Sequence, residues 1–186
     1  MICYKKIQLE CLDVLKNYLI DQVEKTLPNH TSLPHTITKR IDLPADLVDI
    51  LNTEFRSYSA PEIEYCRIYL RKKNDTQDAH IDGDKEVLHC AINIPLRGGE
   101  GSVFRWLGGQ YELKRVDVIG SKQVRYDIVW TTGPEIIDSV EMLDGCYLVR
   151  IDQPHQAISS IDSDRWVFTI RFKGNPTFED LEKLFK

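Results

Sequence analysis

Residues 146–172 read CYLVRIDQPHQAISSIDSDRWVFTIRF, and this stretch decides the fold prediction. Two apolar runs, CYLVRI and RWVFTIRF, flank a short polar connection, which is typical of two neighbouring strands. His155 follows Pro154 at the end of the first run, and Arg165 begins the second. If the two strands pair as a hairpin, about 4.8 Å apart, Arg165 lies within a few residues of the level of His155. A fixed cation would then lie beside a candidate metal ligand.

Strand patterns also fill the chain before this stretch. The predicted strands are EIEYCRIYLRK, VLHCAINIPL, SVFRWLG, QYELKRVDV and QVRYDIVW, separated by the turn sequences RGGEG, LGGQ, IGSK, TTGPE and LDGC. Many short strands with regular turns predict a sandwich, a jelly roll or a barrel. EIIDSVEML fits either a short helix or a strand. Residues 108–133 read as a long hairpin inserted between core strands, the kind of excursion that forms the wall or lid of a substrate cleft.

Helices are predicted on both sides of the strands. From Leu9 to Leu27 apolar residues recur every three or four positions, which predicts an amphipathic helix that stops near Pro28. After the connector PNHTSLPHTITKR, a second helix has Pro44 near its first turn, and NPTFEDLEKLFK reads as a closing helix capped by Thr177. We therefore predict a mainly β protein with flanking helices (α+β). Its 186 residues suit a single domain (1–186), with N-terminal helical support (1–60), a β core (62–173) and a C-terminal helix (176–186).

Composition limits the setting in which the protein works. A net charge of -5 gives no global basic field, so nucleic acid is disfavoured as a partner, although a local basic patch stays open. The beginning of the chain, MICYKKIQLECLDVLKNYLI, contains scattered charges and no apolar run of signal-peptide or membrane-span length. The cysteines number 5 and include no C-x-x-C pair, so we expect reduced thiols, several of them buried. We expect a cytoplasmic protein with no membrane partner, and the oligomeric state is unreadable from the sequence.

The sequence DAHIDGD, residues 78–84, supports two readings. On an extended backbone, His80 and Asp82 project to the same face and could bind one metal ion. The same sequence is also typical of a polar turn between two strands, with an Asx-type bend at Asp82 and Gly83. Chance alone supplies about 0.8 histidines with an acid two positions later in a chain of 5 histidines and 29 acids, so the pair by itself is weak support for a metal site. Asp84 is an alternative ligand only if the strand continues through Gly83.

The distal residues favour the metal site. Two histidines and one carboxylate on one face of an ion leave other positions open, which is the arrangement of non-haem Fe(II) oxygenases. A nearby arginine can hold the far carboxylate of a chelating dicarboxylic acid through a bidentate pair. His80, Asp82, His155 and Arg165, in that order and with similar late spacing, resemble the motif of the Fe(II)/2-oxoglutarate-dependent oxygenase superfamily. The strands AINIPLRGGEGSVFRW and DQPHQAISSIDSDRWVFTIRF look like those of its small uncharacterised bacterial and phage members.

The resemblance implies a fold and a set of roles. Residues 62–173 would form the double-stranded β-helix of the family, a jelly-roll or cupin-like core. His80, Asp82 and His155 would be the catalytic Fe(II) ligands, 2-oxoglutarate would chelate the iron as cosubstrate for O2, and Arg165 would hold its far carboxylate. Arg171 is the competing anchor, because it shares a strand face with Arg165. The other reading of Arg171 is a surface or ion-pair role.

Further residues are weaker candidates for cosubstrate contacts. The hydroxyl of Tyr69 would bind the cosubstrate in related enzymes, although a tyrosine on a half-buried strand is more often a core residue. Asn93 is an amide in an apolar strand, and it needs hydrogen-bond partners that a dicarboxylate would provide. Thr169 is a weaker candidate of the same kind. The remaining residues have structural readings: His89 in the core or at its rim, His30 and His35 exposed in the connector, and LRKKND as a solvated strand end.

The activity implied by the resemblance is hydroxylation of an unknown substrate, coupled to decarboxylation of 2-oxoglutarate to succinate. The intact carboxylate of Asp82 argues against the halogenase variant of the family. Two alternatives stay open: a non-catalytic jelly-roll binding domain, and a cupin-like metalloprotein that needs no 2-oxoglutarate. The substrate is equally open, because a protein side chain, a nucleobase, a sugar and a small metabolite all fit the sequence.

Overall fold

The computed structural model describes residues 1–26, 37–83, 86–117 and 124–185. The described residues form three helices, α1 (Leu12–Thr26), α2 (Ala45–Ser57) and α3 (Phe178–Leu184). They also form twelve strands: β1 (Tyr4–Ile7), β2 (Ile37–Ile41), β3 (Ile63–Arg71), β4 (His80–Gly83), β5 (Cys90–Arg97), β6 (Val103–Gly108), β7 (Tyr111–Asp117), β8 (Val124–Trp130), β9 (Glu135–Glu141), β10 (Cys146–Arg150), β11 (His155–Ile158) and β12 (Arg165–Phe172). The predicted class, mainly β with flanking helices, is confirmed, and EIIDSVEML contains strand β9.

The strands form two six-stranded antiparallel sheets. One has the order β1-β10-β5-β12-β3-β2 and is backed by the helices, so we call it the helix-backed sheet. The other has the order β7-β8-β4-β11-β6-β9, and we call it the facing sheet. Strands β3 to β6 alternate between the sheets, and so do β9 to β12. This alternation gives the predicted double-stranded β-helix, and β7 and β8 form the predicted inserted hairpin beside β4.

The predicted hairpin between CYLVRI (β10) and RWVFTIRF (β12) is wrong, because β10 pairs with β1 and β5. His155 lies on a separate strand, β11, in the segment that the sequence predicts as a polar connection. Strand β11 pairs with β4 and β6 in the facing sheet, whereas β12 pairs with β3 and β5 in the helix-backed sheet. All eight residues of β12 are buried, because it has a strand on each side and helices behind it. The polar segment after Ile158 therefore crosses from one sheet to the other. Arg165 and His155 therefore lie in different sheets and line the same cavity between them.

The helices are confirmed with shifted ends. Helix α1 begins at Leu12 instead of Leu9, and Pro44 is the N-cap of α2. The hydroxyl of Thr177 accepts the backbone N–H of Asp180 at 3.2 Å, which is the predicted cap of α3. Three short strands were not predicted. Strands β1 and β2 lie within residues 1–60 and add to the two edges of the helix-backed sheet, and β11 lies in the predicted polar connection. Residues 27–36, which include His30 and His35, lie outside the described residues.

The helices and the helix-backed sheet enclose the main apolar core, with Leu15, Leu51, Phe168 and Phe178 among its fully buried members. A second apolar cluster lies between the two sheets, but it occupies only the side formed by β5, β10, β6 and β9. No described helix is long and apolar enough to cross a bilayer. All five cysteines are free and buried, as the sequence predicts.

Candidate metal and cosubstrate site

His80, Asp82 and His155 meet in the space between the sheets. His80 on β4 lies directly opposite His155 on β11, and Asp82 follows on the same face of β4 two residues later. One ligand atom from each of the three residues lies within 4.8 Å of the others, and no second group of this kind occurs among the described residues. Both histidines are buried. Asp84, the alternative ligand, lies outside the described residues.

Both histidines present the ring nitrogen that binds metals. Nδ1 of His80 lies 2.8 Å from the carbonyl oxygen of Asp78, and Nδ1 of His155 lies 3.0 Å from that of Gln153. A carbonyl oxygen can only accept, so each Nδ1 carries the proton and each Nε2 carries a lone pair. Bonding of this kind fixes the orientation of metal-ligating histidines. In the structure, the side-chain amide of Gln77 donates to Nε2 of His80 at 2.9 Å and takes the place that an ion would occupy.

Asp82 is held by an arginine from the opposite sheet. A guanidinium nitrogen of Arg171 donates to Oδ2 of Asp82 at 2.6 Å, while Oδ1 lies 3.3 Å from Nε2 of His80. Burial opposes ionisation of Asp82, but the hydrogen bond and the charge of Arg171 outweigh it and hold the pKa of this carboxyl well below its usual range. Asp82 is therefore a carboxylate with one oxygen occupied and one free for an ion.

His155 is kept neutral by its surroundings. Burial lowers the pKa of His155 to about 4, and the neighbouring His80 lowers it in the same direction. The ring of Phe104 stacks on that of His155, with centroids 5.1 Å apart and planes at 19°. A neutral imidazole is the form that binds a metal ion.

A second charged group lies at another end of the same cavity. The cavity has a volume of about 50 Å³, and Arg165 and Arg71 line it together with the three candidate ligands. Arg165 and Arg71 are both buried and lie directly opposite each other on β12 and β3. Arg71 forms an ion pair with Asp75 at 2.9 Å, but Arg165 has no acidic partner among the described residues and only donates to the sulfur of Met142 at 3.6 Å. Burial and, to a smaller extent, the charge of Arg71 lower the pKa of Arg165 to about 10.

The other predicted cosubstrate residues line the space between these two ends. Tyr69, Asn93 and Thr169 all face the cavity. The hydroxyl of Thr169 donates to the side-chain oxygen of Asn93 at 2.7 Å, so the buried amide has one of the partners that it needs. Burial raises the pKa of Tyr69 above its ordinary value, and the charge of Asp82 adds to the effect. Tyr69 is thus a neutral phenol.

Sequence reasoning missed two polar residues of the cavity, Arg71 and Gln77. The prediction of LRKKND as a solvated strand end is wrong for Arg71, which is 8% exposed and lines the cavity. The signal was present, since Arg71 is two residues from Tyr69 and must share its face of β3. Gln77 lies in an irregular segment before β4, where no periodicity shows which way a side chain points.

His89 stays outside the cluster. Nδ1 of His89 lies 3.2 Å from a carboxylate oxygen of Asp152, and the histidine side chain is 38% exposed. Its predicted position at the rim of the core fits this exposure. The neighbouring hairpin does approach the site: Arg125 on β8 lies directly opposite Asp82 on β4, and its Nε forms an ion pair with Asp127 at 2.7 Å.

No protein-family model and no curated protein matches the chain. Solved structures match its fold, among them a Pseudomonas putida prolyl-4-hydroxylase (TM-score 0.50, 13% identity, 91% of each chain). HygX from Streptomyces hygroscopicus, solved with nickel and 2-oxoglutarate bound, has a TM-score of 0.49 and 11% identity over 90% of this chain and 80% of that chain. E. coli ycfD has a TM-score of 0.47 and 14% identity over 79% of this chain, which spans only 36% of the ycfD chain. The chain likewise spans only 30% of the hazelnut vicilin that it matches. At these identities the comparisons show the fold alone.

Proposed function

We propose that this protein is an Fe(II)- and 2-oxoglutarate-dependent oxygenase of the superfamily that its sequence resembles, and that it hydroxylates its substrate. The observation that carries the proposal is one cavity with two complementary ends. At one end, His80, Asp82 and His155 offer two imidazole nitrogens and a carboxylate oxygen. At the other end, Arg165 is a buried cation without an acidic partner among the described residues. A dicarboxylate that chelates a metal ion is the ligand that satisfies both ends.

The donor set fits a divalent iron. Two ligands at right angles, each about 2.1 Å from an ion, lie about 3 Å apart. Nε2 of His80 and Oδ1 of Asp82 are 3.3 Å apart, so these two atoms need almost no movement to bind one ion. These three residues would hold the ion from one side and would leave other positions open for 2-oxoglutarate and O2.

Arg165 fits the far carboxylate of 2-oxoglutarate. A guanidinium binds a carboxylate through two parallel hydrogen bonds, and a buried guanidinium gains more from such a partner than an exposed one. Arg171 is the weaker choice of anchor, because its charge is already neutralised by Asp82. We propose that Tyr69 and Asn93 contact the cosubstrate between the two ends, since both line the cavity.

When bound, Fe(II) and 2-oxoglutarate supply the oxidation by O2, which yields succinate and carbon dioxide and adds one oxygen atom to a substrate carbon. The residues of this chain would bind and orient the ion and the cosubstrate, and they would keep water out of the cavity. Arg171 keeps Oδ2 of Asp82 occupied, so that Asp82 binds the ion through a single oxygen. Phe104, Ile151 and Val167 give the cavity apolar walls. Four classes of substrate stay open: a protein side chain, a nucleobase, a sugar and a small metabolite. The cytoplasmic location stays a prediction.

Cosubstrate binding and turnover test the proposal. Purified protein with Fe(II), 2-oxoglutarate and O2 is expected to form succinate. An Arg165→Ala variant is expected to bind 2-oxoglutarate at least about tenfold more weakly, with unchanged metal affinity. The double variant His80→Ala, Asp82→Ala is expected to lose metal binding, whereas His89→Ala is the matched control that keeps it. Unchanged metal binding in the double variant would refute the metal site.

The other outcomes identify the alternatives. A non-catalytic jelly-roll domain would bind the metal and form no succinate. A cupin-like metalloprotein would keep its activity without 2-oxoglutarate and would be indifferent to Arg165→Ala. If Arg171→Ala weakened 2-oxoglutarate binding and Arg165→Ala did not, Arg171 would be the anchor. Substrate screening is read as a mass gain of one oxygen atom.

A further inference from the structure

The space between the two sheets is apolar on one side and polar on the other. The apolar side is filled by the second hydrophobic cluster, around Trp106 and Tyr147. On the other side, the inner face of β3 carries no aliphatic side chain from residue 65 onward. It presents Tyr65, Arg67, Tyr69 and Arg71. Packed sheets normally fill the space between them with apolar side chains. A strand with this inner face is suited to contact a polar ligand instead.

Arg67 is the cation of this face that the proposed oxygenase site leaves unused. It lies opposite Thr169 of β12 and two residues from Tyr69, and both of these neighbours line the cavity, whereas Arg67 does not. Its guanidinium carbon lies 4.7 Å from the centre of the Tyr65 ring. Nη1 of Arg67 is buried and has no hydrogen-bond partner within the described part of the chain. A buried donor without a partner is costly, and a bound acceptor removes that cost.

The carboxylates of β4 and β8 that face the site are already paired with other arginines. Asp82 is neutralised by Arg171, and Asp127 by Arg125. The strands β7 and β8 carry two further charges on the same face, Lys114 opposite Asp127 and Glu112 opposite Val129, which cancel. Arg67 itself forms no ion pair with a residue that the structure describes, so its guanidinium has no acidic partner there.

We propose that Arg67 binds an anionic group of the substrate, a carboxylate or a phosphate, and thereby holds the substrate beside the cluster of His80, Asp82 and His155. The proposal rests on the proposed function, because it takes the cavity itself to be filled by the cosubstrate. Arg67 lies next to the cavity and not in its lining, so its anion belongs to a second ligand. The planar guanidinium suits carboxylate and phosphate alike, since both accept two parallel hydrogen bonds.

Backbone amide NMR separates the two ligands. The protein is first saturated with Zn(II), a diamagnetic substitute for Fe(II), and with 2-oxoglutarate, whose binding is followed at the amides of residues 165–169. Acetate and methyl phosphate are then titrated separately, and the amides of residues 65–69 are followed. Both titrations are expected to shift these amides in a saturable way, and the anion with the lower Kd identifies the carboxylate or the phosphate as the substrate group.

Two variants and a control test the role of Arg67. Arg67→Met is expected to weaken anion binding at least about tenfold. Arg67→Lys is expected to weaken it less, because an ammonium keeps the charge and loses the bidentate geometry. Arg105→Met removes the same charge from the outer face of β6 and is expected to leave the titration unchanged. If Arg67→Met does not fold, the anion affinity of Arg67→Lys is compared with that of the unaltered protein. Equal anion affinities of these two proteins overturn the proposal.

The outcomes separate this inference from the proposed function. Anion binding at residues 65–69 that Arg67→Met leaves unchanged overturns the inference, and so does the absence of any saturable shift there. Failure of 2-oxoglutarate to shift residues 165–169 refutes the oxygenase proposal instead. The anion titration then proceeds on protein with Zn(II) alone, where binding at Arg67 identifies an anion site independent of that chemistry.

Discussion

The guanidinium of Arg171 donates to Oδ2 of Asp82 at 2.6 Å and so joins the last strand of the helix-backed sheet to the ligand strand of the facing sheet. The two residues are 7% and 23% exposed, so solvent screens their attraction only in part. The pair does two things at once. It keeps Asp82 ionised, and it leaves only Oδ1 free to bind an ion.

Removal of Arg171 should therefore weaken metal binding without removing a metal ligand. In an Arg171→Met variant, Asp82 is free to rotate and its pKa rises toward the ordinary value, so protons compete better with the metal. Loss of such a supporting contact typically costs about 10- to 100-fold in metal affinity. Calorimetric titration with Zn(II) measures the change, and Arg105→Met is the control of equal charge. An unaltered affinity in Arg171→Met would show that the ion pair does not orient Asp82.

Arg165 is expected to lower the free energy of unfolding of the protein when no cosubstrate is bound. It is a buried cation without an acidic partner among the described residues, and burial already lowers its pKa to about 10. Replacement of unsatisfied buried charge by an apolar side chain of similar length is often stabilising. We expect Arg165→Met to raise the free energy of unfolding of the metal-free protein by about 1–2 kcal/mol while it weakens 2-oxoglutarate binding.

Urea denaturation measures this effect, and Arg150→Met is the matched control. Arg150 is also buried, but it forms ion pairs with Glu179 and Asp152, so its removal should lower the free energy of unfolding. If the free energy of unfolding rises in Arg165→Met and falls in Arg150→Met, the result supports the distinction between a paired buried cation and an unpaired one. A loss of stability in Arg165→Met would mean that its contacts outweigh the cost of its burial.

The buried His155 should make the metal-free protein sensitive to mild acid. Its pKa is lowered from the ordinary 6.5 to about 4 in the folded state, so the unfolded chain binds a proton first as the pH falls. The stability from neutral His155 is complete above pH 6.5 and is lost as the pH falls toward about 4, at about 1.4 kcal/mol per pH unit. Asp82 acts at lower pH, because its pKa is held below the ordinary 3.8.

Urea denaturation of metal-free protein at pH 7, 6 and 5 tests this expectation. His155→Gln should have a visibly shallower dependence of the free energy of unfolding on pH in this range. His89→Gln is the control, because His89 lies outside the cluster and is 38% exposed. Parallel pH dependences for His155→Gln and the unaltered protein would contradict the assignment.

Periodicity made the strands predictable, and it also predicted that His80 and Asp82 share a face. What the sequence could not reveal is which strands are neighbours. The pairing of β11 with β4, and not with β12, depends on contacts between residues about seventy positions apart. The predicted hairpin was wrong, but Arg165 and His155 still line the same cavity. They do so because the two sheets pack face to face, and not because their strands pair. Short polar strands such as β1 and β2 have too little alternation to be recognised.

The roles of the two arginines on β12 show the same limit. Arg165 and Arg171 share a face of one strand, so periodicity treats them as equivalent. They differ in the structure because β4 lies across from one end of β12, where Asp82 reaches Arg171, while Arg165 faces another cation, Arg71. Such a difference in partners arises only from the packing of the two sheets.

Gly83 is the last residue of the ligand strand β4 and lies against Tyr126 of the inserted hairpin, which predicts a coupling between the two elements. A Cβ atom at Gly83 would lie 2.5 Å from a ring carbon of Tyr126 on β8, so one of the two must move. We expect Gly83→Ala to lower the free energy of unfolding by about 1–3 kcal/mol, as overpacking does, and to weaken Zn(II) binding by displacing the adjacent Asp82. Tyr126→Ala removes the obstructing ring, so the double variant should regain most of the metal affinity. Simple addition of the two single effects would show that the ring and Gly83 do not interact.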